Sequence, residues 1–316
     1  MGFRGVVPRL ITVLAVVGLY ACEAPLVLDH VKQQRSKITQ RSDLFQAAAG
    51  NSNAIVVVGN GGVLITSRDQ GETWQRRVLE NQPFMLDLTV CPDGQFVALA
   101  FENQLHIGDA TAETWRAVAI DSAEVPQAVA CDPRGRVWVV GSFSSILRSD
   151  DLGETWTSTS MDEDLHFTTV QFVDQDNAFL TGEFGVVVRT TDGGETWENL
   201  PPLPDEFYPQ DAYFRDVRTG WIVGLNGMIW TTVDGGQSWS RESTGTTAPL
   251  YGITANGAGL FTVGGFGTVL TSGPTGDWTR VDHGKPIRFY LRGVLPLDDH
   301  RLLAVGGAGA LFVIES

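Results

Sequence analysis

The sequence predicts an all-β fold, a seven-bladed β-propeller with four-stranded antiparallel blades, on three observations. Six tryptophans, Trp74, Trp115, Trp156, Trp197, Trp239 and Trp278, are spaced 41, 41, 41, 42 and 39 residues apart. Four of them close one short motif: Ser67-Arg-Asp69-Gln-Gly71-Glu-Thr-Trp74, Ser149-Asp-Asp151-Leu-Gly153-Glu-Thr-Trp156, Thr190-Thr-Asp192-Gly-Gly194-Glu-Thr-Trp197 and Thr232-Val-Asp234-Gly-Gly236-Gln-Ser-Trp239. Within each period, short apolar runs alternate with glycine turns, as in Val56-Val-Val, Gly59-Asn-Gly-Gly62 and Val63-Leu-Ile. A fixed period near 40 residues marks a repeat architecture. β-Branched runs divided by glycine turns form antiparallel strands, not helices.

The stretches ending at each tryptophan align without gaps in five copies: Val56 to Trp74, Val97 to Trp115, Trp138 to Trp156, Phe179 to Trp197 and Trp221 to Trp239. The sixth, Phe261 to Trp278, is one residue shorter, and a seventh begins at Leu303 before the sequence stops. Each copy holds two strands around a tight turn. A further strand lies upstream, as in Asp87-Leu-Thr-Val, and the run after the tryptophan supplies a fourth. Four strands per period make one propeller blade. Blade seven has strands at Arg292–Pro296, Leu302–Val305 and Ala310–Ile314, and no residues remain for an outer strand. An unpaired edge invites aggregation, so the N-terminal stretch Leu26–Ile38 is expected to close the ring ahead of a first strand near Leu44–Ala48.

The repeated motif has a folding explanation. Asp and Ser/Thr side chains bond backbone amides within a turn, glycine supplies positive φ, and the tryptophan buries a large ring against a neighbouring hairpin. Asp69, Asp151, Asp192 and Asp234, with Trp74, Trp156, Trp197 and Trp239, are therefore read as structural. In blades two and six the motif is degenerate: Gly108-Asp-Ala-Thr-Ala-Glu-Thr-Trp115 and Thr271-Ser-Gly-Pro-Thr-Gly-Asp-Trp278.

Residues 1–21 read as a signal peptide. Arg4 and Arg9 precede an apolar run from Leu10 to Leu19, and Leu19-Tyr-Ala-Cys22 resembles the lipobox of bacterial lipoproteins. The apolar core is too short to span a bilayer. Cys22 is the expected lipidation site, residues 22–42 an anchor segment and ring-closing strand, and residues 43–316 the propeller. This places the protein outside the cytoplasm, a monomeric membrane-anchored lipoprotein facing the periplasm or cell exterior, with a lipid bilayer as partner through acylated Cys22. Cys91 and Cys131 occupy matching positions in neighbouring blades. Export permits a disulfide, but equivalent positions on adjacent blades are usually too far apart for one, which weighs against the bridge.

Composition narrows the function. Without Arg4 and Arg9, 20 basic residues face 37 acidic ones, a balance that excludes nucleic acid, which needs a basic stripe. His30, His106, His166, His283 and His300 show no ligand spacing, so no metal and no cofactor are expected. Sialidases share the turn motif, but they also need an Arg-Ile-Pro segment and an arginine cluster, and neither is present. The acidic runs Asp162-Glu-Asp164, Asp205-Glu206 and Asp298-Asp299 fall in polar loops. A glycosidase would need two carboxylates at a set separation; the sequence does not bring any two together.

Two stretches carry a family resemblance: Phe172-Val-Asp-Gln-Asp-Asn-Ala-Phe-Leu-Thr-Gly182-Glu-Phe-Gly185 running into the motif at Trp197, and Tyr213-Phe-Arg-Asp-Val-Arg-Thr-Gly-Trp-Ile-Val-Gly224-Leu-Asn-Gly227 running into that at Trp239. Over residues 44 to 316 the chain resembles the photosystem II stability/assembly factor family of seven-bladed propellers. The resemblance implies a non-enzymatic, exported factor that binds a membrane-protein subunit or complex during assembly. Photosynthetic members carry a basic contact patch, whereas this chain is acidic, which points to a different membrane complex. The alternative is an exported carbohydrate-binding or glycoside-hydrolysing propeller. Propellers bind through loops at one end of the channel. There Phe143, Phe184 and Phe266 share one repeat position, with Asn226 at that position in another blade and Phe101 one residue off register, and these are the candidate partner-binding residues. The stiff, proline-rich loop Leu200–Pro209 joins the same end.

Overall fold

A computed structural model describes residues 1–2, 37–273, 276–283 and 286–315. Among the described residues it is a ring of seven sheets, six of four strands and one of three, each a meander in chain order. Blade one comprises Phe45–Gly50, Ile55–Gly59, Val63–Ser67 and Gln75–Val78. The first strands of all seven blades line a central cavity of about 390 Å³.

Burial follows from position in the ring. The second strands of blades one to five, such as Ile55–Gly59, Phe96–Ala100 and Val137–Gly141, are buried at every residue, and those of blades six and seven at all but the first, because a neighbouring blade covers each face. Both faces must therefore be apolar, and these strands read as continuous hydrophobic runs. The fourth strands lie on the perimeter and are mostly exposed, as in Thr157–Ser160.

Among the described residues there is no single core. Seven hydrophobic clusters each fill one seam between adjacent blades. Val56, Leu64, Phe96 and Ala98 join blades one and two. Phe45, Ile65, Leu303 and Val305 join blade seven to blade one and complete the circle. Each buried Val, Leu, Ile or Phe contributes about 1.5–3 kcal/mol, so every seam is a cohesive unit.

Blade seven consists of Leu291–Pro296, Arg301–Gly306 and Leu311–Glu315. The strand expected from Leu26–Ile38 lies outside the described residues up to residue 36, and Lys37 and Ile38 form a bend. Among the described residues the circle is fastened at Asp43. Its carbonyl accepts the Gly309 N–H at 2.8 Å, and its carboxylate takes a bidentate pair with Arg76 at 2.7 and 2.9 Å.

One expectation is overturned. Cys91 and Cys131 are disulfide-bonded, with Cα atoms 5.0 Å apart. Both sit at the C-terminal end of a first strand, Met85–Val90 and Pro126–Cys131. The first strands converge on the axis, and there equivalent positions in adjacent blades come within reach of the bridge. The separation assumed from sequence applies further out along the blades.

Candidate binding face and channel

The Asp-x-Gly-x-Thr-Trp turns consume their own carboxylates. Asp192 accepts bonds from the Thr196 N–H at 2.9 Å, the Thr196 hydroxyl at 2.6 Å and the Thr190 hydroxyl at 2.8 Å. Asp69, Asp151 and Asp234 repeat this arrangement. The bonds from Thr196 hold the Asp192 carboxyl down at about 2, and those from Ser238 hold Asp234 at about 2. A carboxylate held this way stays ionised and occupied, unsuited to proton transfer. The blade-two turn that looked degenerate is built likewise. Asp109, one residue past the strand, takes bonds from Thr111, Glu113 and Thr114, which outweigh partial burial and hold it well below the usual range. Asp192→Ala leaves the Thr196 N–H without its acceptor, so the melting temperature falls. Asp192→Asn keeps one acceptor and falls less; calorimetry of the two variants checks the order.

Each turn also locks its blade to the one before. A Cβ on Gly194 of blade four would lie 2.2 Å from the Trp138 ring of blade three, so only glycine fits there. Its φ of +85° permits the approach.

The channel holds residues that sequence reasoning missed. Every first strand has a register shift after its first residue, in the same place in all seven blades. Bulges of this kind re-aim side chains. At the third position of these strands stand Ala47, Asp87, Ala128, Thr169, Asp211, Gly252 and Gly293, small except for two aspartates. Asp87 accepts the Val129 N–H of blade three at 2.9 Å and its neighbour Leu88 N–H at 2.8 Å. Asp211 does the same to Ile253 of blade six at 2.8 Å and to Ala212 at 2.8 Å. These two carboxylates bracket adjacent first strands. The signal was an aspartate at a repeat position otherwise reserved for small residues.

Burial in the wall raises both carboxyls above the ordinary range. For Asp211 burial comes first, the charge of Asp87 adds to it, and the Ile253 and Ala212 amides and Arg292 oppose it, leaving a value of about 7. Because the folded value exceeds the ordinary aspartate value of 3.8, this group's stabilising contribution is complete at acid pH. It is lost as pH rises from about 4 to about 7. Carboxyl-carbon NMR of the full chain is expected to show an Asp211 midpoint close to 7; a midpoint in the ordinary carboxylate range would contradict the enclosed geometry.

At one end of the ring lie the turns between second and third strands, bonded to the loops that join blades. The Ser144 N–H donates to the Leu165 carbonyl, and the Glu183 N–H donates to that of His166. These turns present Phe143, Phe184 and Phe266, 55, 60 and 74% exposed. Their backbones are left-handed, with φ of 52°, 60° and 55°. Glycine and asparagine fill that position in blades one and five, as Gly61 and Asn226. Phe101, also exposed, sits one residue earlier in blade two, where the left-handed residue is Asn103. A bulky residue costs about 1 kcal/mol or more in this conformation, and an exposed ring recovers little by burial. Arg148 and Arg189 are half-buried between neighbouring blades, paired with Glu195 and Glu198. Among the described residues no three His, Cys, Asp or Glu side chains gather to hold a metal.

Fold and turns together define the class: a seven-bladed propeller built on Asp-box repeats. Residues 65–76 match the BNR/Asp-box repeat, and residues 107–206 match the family of the photosynthesis system II assembly factor YCF48, the resemblance read from the sequence. No curated protein sequence matches the chain. YCF48 bound to D1 peptide superposes with a TM-score of 0.72 at 14% identity, covering 87% of this chain and 92% of that one. YCF48 from Cyanidioschyzon merolae gives 0.70 at 13% identity, with coverages of 87% and 96%. An inactive virginiamycin B lyase from Staphylococcus aureus, with quinupristin, gives 0.74 at 13% identity, with the same coverages. At such identities the likeness establishes the fold, which hosts more than one activity.

Proposed function

We propose that this protein is a non-enzymatic assembly or stability factor that binds a membrane-protein subunit through its phenylalanine-bearing hairpin face. The carrying observation is that three exposed phenylalanines occupy left-handed positions where folding alone favours glycine. Strain kept at exposed apolar residues, against the interest of stability, marks a surface selected for contact. The family matched over residues 107–206 supports the reading, as does the solved relative with a bound peptide. Export and a lipid anchor at Cys22 belong to the same proposal, and the Cys91–Cys131 bridge supports an oxidising compartment.

The test is crosslinked capture from host membranes, with Cys22→Ser and the triple variant Phe143→Gly/Phe184→Gly/Phe266→Gly. The triple variant is expected to keep a stability close to the parent's, since relief of the left-handed strain offsets the greater entropy glycine gives the unfolded chain. It is expected to lose the membrane partner that the parent recovers repeatedly. Equal capture by both proteins would remove the face from consideration.

A second reading rests on the channel. Two enclosed carboxyls line one channel, one of them held near 7, and virginiamycin B lyase and a xyloglucanase share the fold. Both oxygens of each group already accept backbone amides, which favours the bracket role. Turnover of a glycan panel that disappears in Asp211→Ala would favour the enzyme.

A further inference from the structure

We infer that the partner segment recognised by the hairpin face is basic and apolar together, a polypeptide stretch that pairs lysine or arginine with hydrophobic side chains, docking over blades two to four. The inference rests on the proposed binding role and specifies its partner.

The face is polarised. In that sector Phe101, Phe143 and Phe184 stand on consecutive blades, joined by exposed Phe84 and Val125 from the intervening loops. The hairpins and loops around them, residues 79–84, 101–103, 120–125, 142–144, 161–166, 183–185 and 200–208, contain ten Asp and Glu and no Lys or Arg. Glu102, Asp162, Glu163, Asp164, Asp205 and Glu206 are all exposed. Arg41 and Arg288 belong to the other side of the ring, in segments that precede the first strands of blades one and seven, and Arg292 lies within the blade-seven first strand, lining the channel.

Several carboxylates elsewhere are paired with arginine within the chain. Glu72, Glu113, Glu154 and Glu195, which follow the Asp-box glycines or take their place in blade two, pair with arginines of neighbouring or flanking strands. Asp176 and Asp298 at the same end are paired too. Among the described residues no ion pair reaches any of the ten carboxylates of the phenylalanine sector; those that are bonded accept neutral donors. The Phe84 N–H bonds Glu102, Ser142 bonds Glu124, Asn199 bonds Glu163, and the His166 N–H and Tyr208 bond Glu183. The chain thus places counter-charges at one end and leaves the other a field of fixed negative charge around exposed rings. A lysine- or arginine-bearing segment satisfies both features, since its charges meet the carboxylates and its apolar side chains, with the aliphatic stems of the cations, cover the rings. An acidic segment would be repelled, and a neutral glycan would leave the charge unanswered.

The experiment titrates the full chain with three synthetic peptides: alternating lysine and phenylalanine, the same with glutamate for lysine, and the same with serine for phenylalanine. The lysine–phenylalanine peptide is expected to bind, the glutamate peptide not at all, and the serine peptide at least about tenfold more weakly, a step of about 1.4 kcal/mol. Glu102→Gln/Asp162→Asn/Glu163→Gln should weaken the first peptide about tenfold. Raising salt until the Debye length falls to about 3 Å should do likewise. Neutralising Glu113, Glu154 and Glu195 at the opposite end should change nothing. Equal affinity for the glutamate peptide, no binding of the lysine–phenylalanine peptide, or unchanged affinity in the sector variant overturns the inference. The sector variant is also carried through the membrane capture. If it still recovers the parent's partner, the charge inference fails while the binding role stands; if the parent recovers nothing, the binding role itself fails.

Discussion

Trp138→Ala is expected to lower the free energy of unfolding by about 4–5 kcal/mol, the upper range for deleting a buried aromatic side chain. Trp138 is 2% exposed and is the largest fully buried side chain. Its ring packs against Phe172 at 5.2 Å and edge-on to Trp197 at 5.9 Å, both from blade four. The guanidinium of Arg136 lies over it at 5.2 Å, and Gly194 closes on its edge. Truncation leaves a void at the seam between blades three and four, and collapse is resisted because two sheets would have to approach each other. It also removes the indole donor 3.0 Å from the fully buried Asp132, adding an electrostatic loss. With native stability typically only about 5–15 kcal/mol, much of the margin disappears. Trp138→Phe keeps part of the packing and loses the donor, so its loss is smaller. Urea midpoints of the two variants check the order, and equal midpoints for parent and Trp138→Ala would show that the seam does not depend on this ring.

Cys91→Ser/Cys131→Ser is expected to destabilise by about 4 kcal/mol, from the entropy returned to the unfolded chain when a link across 40 residues is removed. The bridge ties blades two and three at the channel, where the strands already meet, so the native backbone changes little. Unfolding with and without reductant measures the same quantity, and the serine variant should show no reductant dependence. A loss under about 1 kcal/mol would mean the unfolded chain is not much constrained by the link.

Much of this fold was legible because the repeat imposes its own register. The tryptophan spacing and the motif from Ser67 to Trp74 fix blade number and hairpin limits, and the expected strand Arg292–Pro296 is one residue short of the observed Leu291–Pro296. The hairpin phenylalanines were visible as a shared repeat position. What was not legible depends on convergence at the axis. Cys91 and Cys131 look distant as positions in a sequence, yet the funnel of first strands brings their Cα atoms to 5.0 Å. Asp87 and Asp211 look like ordinary strand polar residues, and only the alignment of all seven first strands shows them replacing alanine, threonine and glycine. The acidic runs were seen as loop composition. Which end of the ring each joins, and that Asp162 and Asp205 sit with Phe143 and Phe184 while Asp298 does not, is a property of three-dimensional connectivity.

The seam between blades seven and one has a kinetic consequence. Every other seam joins neighbours in sequence, so those contacts form after short excursions of the chain. The closing cluster joins Phe45, Ile55 and Val57 to Leu303 and Val305, across nearly the whole chain, and the entropy of bringing such distant ends together must be overcome before any closing contact rewards it. The contact expected to form last is therefore the packing of blade seven against blade one. Until it forms, two apolar walls stay uncovered. A destabilising change at Asp43 or Gly309 is expected to slow refolding more than it lowers the stability of the finished ring, which refolding kinetics set beside equilibrium unfolding would check.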